Sequence, residues 1–340
     1  MYKKDRQLFA ELAQLMSYRT DDLFWCHLDH QWTGGISHGE LVPRTRFETI
    51  FTDYAAYRQR CDLTLPEMAV FEDTGIAAVT AREKNVSIFM RASPFGSIAH
   101  AHADQLSVLV DRNGQTVLGP GGYYDRYGSA HHRNWTRQSA AHNTMTLGCG
   151  KGQKPDTCLA SGAFTFAEDQ ENVVRILMDG SQAYDGLLND VSRSIAFVRP
   201  RWLVIRDEVS TNRKDVEVIT HFHTPHDVSV NRTGKITIQL EKGTACLQAL
   251  HTRSAWPEVI KRFPDNAQPI HPERYPPPSH ITFKHSLEDG RGEMLYLLDL
   301  FCEQPRPRIA SAQLPGEMTV RIGTTILTLP PRYDALPTPM

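Results

Sequence analysis

The sequence predicts a mainly β protein, a large antiparallel β-sandwich (supersandwich) that follows a short α-helical N-terminal segment. Two observations support this fold class. Strand-like runs recur through the second half of the chain, with turn residues between many of them. Helical patterns do not alternate with these runs, and such a series favours antiparallel sheets over βαβ units. The 340 residues allow two domains of ordinary size.

The helical pattern lies near the N-terminus. Leu8, Leu12 and Leu15 have helical spacing within residues 6–18, and apolar side chains have the same spacing within residues 45–61. A pair of glycines between these stretches predicts a loop, and a proline soon after the second stretch marks a change of structure.

Most of the chain beyond the middle predicts strands separated by turns. The predicted strands are residues 144–147, 173–178, 194–198, 202–207, 216–222, 235–240, 246–250, 281–285, 293–301, 318–322 and 325–329. A proline-rich stretch, residues 255–279, interrupts the series. We expect it to be a solvated excursion, with a contribution to a binding cleft as the alternative. The tail, residues 330–340, is expected to fray.

Potential chemistry is concentrated in residues 91–153, beginning with a pair of histidines. In an extended chain His100, His102 and Asp104 project from one face. An Asn-Gly pair at residues 113–114 predicts a β-hairpin directly after them. Such histidines can share a metal ion, or one can bind metal while the other does acid/base chemistry. The alternative is a pair of hydrogen-bonded histidines at a strand end.

A glycine-rich bend at residues 119–122 delivers Tyr123 and Tyr127. Trp135 and Arg137 follow, and they suit an acidic sugar because a guanidinium pairs with carboxylate or sulfate while an indole stacks on the pyranose. The alternative is a core tryptophan with the nearby arginines in surface ion pairs.

Four motifs of this segment resemble the C-terminal β-sandwich of the heparinase II/III-like polysaccharide lyases. They are SPFGSIAHAHADQ, GPGGYYDRYGSAHH, WTRQSAAHNTM and GKGQ, and the similarity is dense over residues 65–153. The family includes exo-acting oligoalginate and heparin lyases and is related to dermatan-sulfate epimerase. The resemblance implies a helical segment, residues 1–64, that is the end of an (α/α) toroid, followed by a sandwich domain, residues 65–335.

The resemblance also implies roles for particular residues. His100 and Tyr123 take catalytic positions, and His102 and His142 take those of metal ligands. Relatives usually have an aspartate where this chain has Pro120, and proline offers no ligand. The ion would be one structural divalent metal such as zinc. The list of candidates is completed by substrate-binding Arg137, Trp135, Tyr127 and Asn143, and by His131 or His223 as replacements for the missing metal ligand.

The implied reaction is β-elimination at a 4-linked uronic acid. It needs removal of the C5 proton, neutralisation of the carboxylate and protonation of the departing O4. His100 and Tyr123 could be the acid/base groups, with Arg137 near the carboxylate. Relatives take a neutralising Asn or His and their main tyrosine from the helical toroid, for which residues 1–64 are too few. We therefore expect a C-terminal portion or a shortened relative, with an upstream helical domain or a homo-oligomer as partner.

Composition narrows the remaining possibilities. The formal net charge of −2 gives no reason to expect nucleic acid, so attraction of an acidic polysaccharide or oligosaccharide must be local. The six cysteines form no CxxC pair, and none needs to be bridged. No apolar run has membrane-spanning length, and the N-terminus has no signal-peptide pattern. The family resemblance implies a periplasmic or cell-envelope location, and the polymer, alginate or a glycosaminoglycan, is left open.

Two other classes of protein compete with the lyase. A cupin-type metalloenzyme also uses two histidines at this spacing, but it needs a glutamate four or five residues later, where Leu106 and Ser107 stand. A non-catalytic carbohydrate-binding sandwich fits the fold without the chemistry. Unsaturated uronate products distinguish the lyase from the binding module.

Overall fold

The structure, a computed structural model, describes residues 66–250, 256–302, 311–314, 317–322 and 325–329. The helices predicted within residues 6–18 and 45–61 lie outside the described residues, as does the tail. The domain boundary near residue 65 therefore stays a prediction.

Twenty strands form four antiparallel sheets in these ranges. In chain order the strands are β1 (Met68–Phe71), β2 (Ile76–Ala81), β3 (Val86–Arg91), β4 (Val108–Arg112), β5 (Gln115–Leu118), β6 (Met145–Leu147), β7 (Ala163–Gln170), β8 (Val173–Asp179), β9 (Asp190–Val198), β10 (Trp202–Ser210), β11 (Glu217–Thr224), β12 (Val228–Val230), β13 (Ile236–Gln239), β14 (Thr244–Ala249), β15 (Glu258–Ile260), β16 (Ser279–Ser286), β17 (Arg291–Asp299), β18 (Ser311–Leu314), β19 (Glu317–Ile322) and β20 (Thr325–Leu329). The predicted fold class, a mainly β antiparallel sandwich, is confirmed.

The sheets follow the chain closely. One sheet has the order β1-β2-β3-β4-β5, and another has the order β15-β16-β11-β6. An eight-stranded sheet has the order β12-β13-β14-β17-β10-β9-β8-β7, and β18-β19-β20 form the last sheet. Short helical turns occur in the connections: 3-10 turns at Arg82–Lys84, Ser139–Ala141, Ser181–Tyr184 and Asp265–Ala267, and a π-helical turn at His132–Thr136.

The eight-stranded sheet is a middle layer because both of its faces are apolar. On β9, Ile195 and Phe197 point into the main core, which also contains residues of the five-stranded and four-stranded sheets. Their neighbours Ala196 and Val198 point the opposite way and pack with Val320 and other residues of the three-stranded sheet. This is the period of two that a strand imposes on its side chains.

A buried ion pair connects the eight-stranded sheet to residues 91–153, the segment that carries the candidate site residues. Arg193 on β9 lies opposite Asp207 on β10, and both side chains are inaccessible to solvent. Their contact is bidentate, with Nε–Oδ1 at 2.6 Å and Nη2–Oδ2 at 2.8 Å. The remaining nitrogen, Nη1, donates to the carbonyl of Leu106 at 2.7 Å and to that of Asn143. One guanidinium therefore fixes two separate site loops to the sheet.

The predicted hairpin is confirmed, but the extended face of histidines before it is wrong. Asn113 and Gly114 both have positive φ, as a tight hairpin turn between β4 and β5 requires. Strand β4, however, begins only at Val108. Leu106 has a φ of 65°, in the left-handed region, so the alternation of the strand does not continue back to His100 and His102.

The described part of the proline-rich stretch is largely exposed, as a solvated excursion predicts, but a few of its residues anchor it to the protein. Phe263 and Ala267 are buried in a cluster with Trp135 and Ala141. Through these contacts the stretch borders the segment that carries the candidate site, and its contribution to a cleft stays a prediction.

The structure also contains a disulfide, whereas the sequence offered no reason to expect one. Cys246 on β14 is bonded to Cys302, just after β17. These two strands are neighbours in the eight-stranded sheet. The spacing of the cysteines could not reveal this pairing, because the residues meet only through the sheet.

Removing one member of the buried ion pair should strongly destabilise the protein. Arg193→Met leaves the Asp207 carboxylate buried without its partner, and such a change costs about 3–5 kcal/mol. Urea unfolding monitored by circular dichroism measures this loss. Lys261→Met is the control because it breaks an exposed pair with Asp227 and should change the midpoint little. Equal midpoints for the two variants would contradict the role given to Arg193.

Candidate active site

Two glutamines hold the loop that carries the histidine pair. The Gln105 side chain accepts from the Ser93 backbone N–H at 2.7 Å and donates to the carbonyl of Ala160 at 3.1 Å. Gln153 makes two bonds to the Gln105 backbone, accepting from its N–H at 2.9 Å and donating to its carbonyl at 2.8 Å. The glutamines thus fix both ends of residues 93–105, the histidine loop that carries His100 and His102.

The glycine bend is packed tightly and places a tyrosine at the surface. A side chain at Gly121 would meet the Ala141 carbonyl oxygen at 2.9 Å, and Gly122 has a φ of 104° that favours glycine. The indole Nε1 of Trp135 donates to the Gly121 carbonyl at 2.6 Å. Trp135 is only 4% exposed, so its ring is not offered to a saccharide here, whereas Tyr123 is 77% exposed.

Imidazole and phenol rings form a contact series that reaches the surface. The ring of exposed His100 lies 4.8 Å from that of Tyr127, which is 51% exposed. Tyr127 in turn lies 4.6 Å from His132, and Tyr124 contacts the same histidine at 4.8 Å. Burial, followed by the nearby Arg137 charge, lowers the pKa of His132. His132 was not predicted as a site residue.

His102 and His142 meet in a second ring contact, with centroids 5.1 Å apart. Burial, followed by the neighbouring His142, lowers the pKa of His102 to about 4. Burial likewise lowers the pKa of His142 to about 4. Both imidazoles are therefore neutral near pH 7, and His142 Nε2 donates to the Thr136 carbonyl at 3.0 Å.

The other two predicted metal ligands have different neighbours. His131 packs against Phe263 and donates from Nδ1 to the Ala267 carbonyl at 2.6 Å. His223 stacks on His280 with ring centroids 4.4 Å apart. Across the described part of the chain, no three His, Cys, Asp or Glu side chains form a group that could hold a metal ion. The metal assignment to His102, His142 and His131 or His223 therefore stays a prediction.

Asn143 is buried and uses its amide within the protein. Its Nδ2 donates to the carbonyls of Val108 at 2.7 Å and Gly119 at 2.9 Å. Its Oδ1 accepts from the backbone N–H of His223 at 2.8 Å. Both amide hydrogens are committed, so Asn143 joins β4, the bend and β11 and has no donor left for a saccharide.

Arg137 lies beneath the histidine loop and reaches the surface at one edge. Its Nε donates to the Ala101 carbonyl at 3.3 Å, and Nη2 donates to the Ser97 carbonyl. Its own carbonyl accepts from the Ala103 N–H at 2.9 Å. The third nitrogen, Nη1, forms an ion pair with Asp156 at 2.6 Å. Arg137 is therefore a cationic residue bonded to the backbone at Ala101 and Ala103, beside the histidine pair.

Several residues of this site were missed although they lie within the quoted motifs. Gln105 and Gln153 end two of those motifs, and His132 follows His131 directly. Their position in the motifs was the available signal, but their partners are distant in sequence and only the fold brings them together. Asp156 lies just beyond the last motif and gave no signal.

A separate cavity of about 480 Å³ lies at the β7–β10 part of the eight-stranded sheet. Asp179 and Asp190 contribute to its lining, and none of the described lining residues is a predicted site residue. Carboxylates there would repel an acidic polymer. The histidine loop is therefore the better candidate for the active site.

The multilayered antiparallel sandwich carries an exposed imidazole and an exposed phenol beside the loop to which Arg137 is bonded. Residues 63–271 match the family model described as Heparinase II/III-like, C-terminal, and the chain belongs to this family. The predicted family is thereby confirmed.

Two solved structures of similar fold are named as a heparan sulfate lyase and a heparinase. The chain is 14% identical to heparan sulfate lyase HepC from Pedobacter heparinus, with a TM-score of 0.63 over 84% of this chain and 46% of that one. It is 16% identical to heparinase III, the BT4657 gene product, with a TM-score of 0.62 over 95% and 56% of the two chains. The chain thus spans about half the length of these structures. A comparison with curated proteins gave no match.

Acid should destabilise the fold through its buried histidines. Burial lowers the pKa values of His142, His280 and His285 to about 4, whereas an unfolded histidine titrates near 6.5. The unfolded state therefore binds more protons than the folded state between these pH values. The stability that these histidines contribute is present above pH 6.5 and is lost as the pH falls toward 4. Each such group contributes a slope of about 1.4 kcal/mol per pH unit.

Urea titrations at half-unit steps between pH 7 and 4 measure that slope, and His280→Asn should reduce it by the contribution of one histidine. Carboxylates titrate at the lower end of this window, so the comparison is made between pH 6.5 and 5. A free energy of unfolding that does not change over this interval would contradict the neutral state of these imidazoles.

Proposed function

We propose that the chain acts as a polysaccharide lyase on uronic-acid-containing polysaccharide or oligosaccharide by β-elimination. Family membership supports the reaction class. The observation that favours the histidine loop as the site is the exposed His100 ring beside the exposed Tyr127 ring, with Arg137 bonded to the loop between His100 and His102.

His100 and Tyr123 are the proposed proton-transfer groups, one taking the C5 proton and the other protonating O4. Both are exposed, and Tyr123 is placed by the tightly packed glycine bend. Imidazole and phenol are suited to these steps when their pKa values are matched to the task. Tyr127 would contact the saccharide beside His100.

Neutralisation of the uronate carboxylate falls to Arg137 in this proposal. His102 and His142 are neutral at pH 7, so they bring no positive charge to the anion. A guanidinium nitrogen donates a charge-assisted hydrogen bond to a carboxylate, and the group stays charged at every relevant pH. No step in this mechanism depends on a metal.

A complementary surface is part of the proposal because the chain spans 46% of the HepC structure and 56% of the other. An upstream helical domain or a second copy of the chain would supply the remaining groups.

A periplasmic or cell-envelope location is supported by the Cys246–Cys302 disulfide, since disulfides persist in oxidising compartments. None of the helices among the described residues has the length and apolar character needed to cross a bilayer.

Substitution of the two proton-transfer groups should abolish turnover without unfolding the protein. His100→Ala and Tyr123→Phe should each lower kcat/KM by about 10²–10⁴. The assay follows the ultraviolet absorbance of unsaturated uronate released from alginate, heparan sulfate or chondroitin sulfate. His271→Ala is the matched control, an exposed histidine in the proline-rich stretch, and thermal melting checks the fold of each variant.

Two outcomes would overturn the proposal in different ways. Unchanged rates in both variants would refute the site, although the chain would remain a lyase. Binding of oligouronate by the wild-type chain without unsaturated product would favour the carbohydrate-binding sandwich instead.

A further inference from the structure

Arg137 has an inner and an outer edge with different partners. The inner nitrogens are held by the carbonyls of Ala101 and Ser97, whereas Nη1 contacts the Asp156 carboxylate at 2.6 Å. The Arg137 side chain is only 10% exposed, but that of Asp156 is 71% exposed. The contact therefore lies where the buried guanidinium meets solvent.

The backbone on both sides of Asp156 is fixed independently of its carboxylate. The Ser97 N–H donates to the Thr157 carbonyl at 2.8 Å, and the Ser97 hydroxyl donates to the Lys154 carbonyl at 2.8 Å. A side chain at Gly96 would lie 1.9 Å from the Thr157 carbonyl oxygen, so the two segments are in direct backbone contact. Asp156 is thus held over Arg137 by its neighbours, and its carboxylate can leave while the loop stays in place.

We propose that Asp156 is an internal competitor that occupies the place of the substrate carboxylate on Arg137 and is displaced when an anionic saccharide binds. This inference rests on the proposed function, because it assigns Arg137 to the uronate. A carboxylate or sulfate is the chemistry that a guanidinium nitrogen accepts, and Asp156 already shows a carboxylate seated there.

Displacement is energetically accessible. An ion pair with a largely exposed carboxylate contributes little to stability, because water solvates that carboxylate well once it is released. An incoming uronate gains the same guanidinium together with sugar contacts to the nearby rings. A neutral sugar has no anionic group that could take the place of Asp156 on Arg137, so removal of the competitor should not change its binding.

The Lys154–Asp185 pair provides a matched control because Lys154 is close to Asp156 in sequence. Asp185 is 66% exposed and pairs with Lys154, two residues from Asp156, at 2.5 Å. Asp185→Asn removes one negative charge from the same region without changing Arg137. It separates general relief of charge repulsion from release of the Arg137 edge.

The test is calorimetric binding of a heparan sulfate tetrasaccharide and an alginate tetrasaccharide to the full chain. Asp156→Asn should tighten binding of at least one of them about three- to tenfold, and Asp185→Asn should have less than half of that effect. Cellotetraose, a neutral oligosaccharide, should show no gain. The double variant Asp156→Asn with Arg137→Gln should lose the gain, and thermal melting confirms that each variant is folded.

Three results would overturn the inference: equal affinities for wild type and Asp156→Asn, equal gains for both carboxylate variants, or weaker binding by Asp156→Asn. Absence of binding by both wild type and Asp156→Asn would also overturn it. A gain in binding without unsaturated product would sink the proposed reaction but leave the competitor standing. Turnover with a KM that is the same for wild type and Asp156→Asn would contradict the competitor but leave the proposed reaction standing.

Discussion

The site depends on the buried contact between Arg193 and Asp207. A guanidinium without access to solvent must have every charge and hydrogen compensated, and here the carboxylate across the strand pair compensates the charge. The nitrogen that is left over holds the carbonyls of Leu106 and Asn143. One guanidinium on the eight-stranded sheet therefore positions both the loop with His100 and His102 and the segment that begins at His142.

Polar residues of the site divide by burial into a scaffold and a chemical surface. The scaffold includes Gln105, Asn143 and Trp135, whose polar atoms bond to backbone groups of the bend and loops. The surface presents His100 and Tyr123. Buried polar groups must be satisfied, so a dense cluster of imidazoles and amides supplies the rigidity that a few exposed groups need for catalysis.

Sequence patterns predicted the sheets because alternation and turn residues act locally. The hairpin at Asn113 and most strands lie within a few residues of their predicted positions. The predicted extended face of histidines was wrong because Leu106, an apolar residue, adopts a positive φ that interrupts the strand alternation. The burial of Trp135 also depends on distant partners, the glycine bend and Phe263, which no local pattern reveals.

The central claim is that the exposed rings of His100, Tyr123 and Tyr127 and the outer edge of Arg137 form one site for an anionic saccharide. A crystal structure of the His100→Ala variant with a bound uronate tetrasaccharide tests it most directly. The account predicts a uronate carboxylate within about 3 Å of Arg137, with the sugar ring beside Tyr127. A saccharide bound elsewhere, for instance in the cavity at β7–β10, with the histidine loop empty, would contradict it.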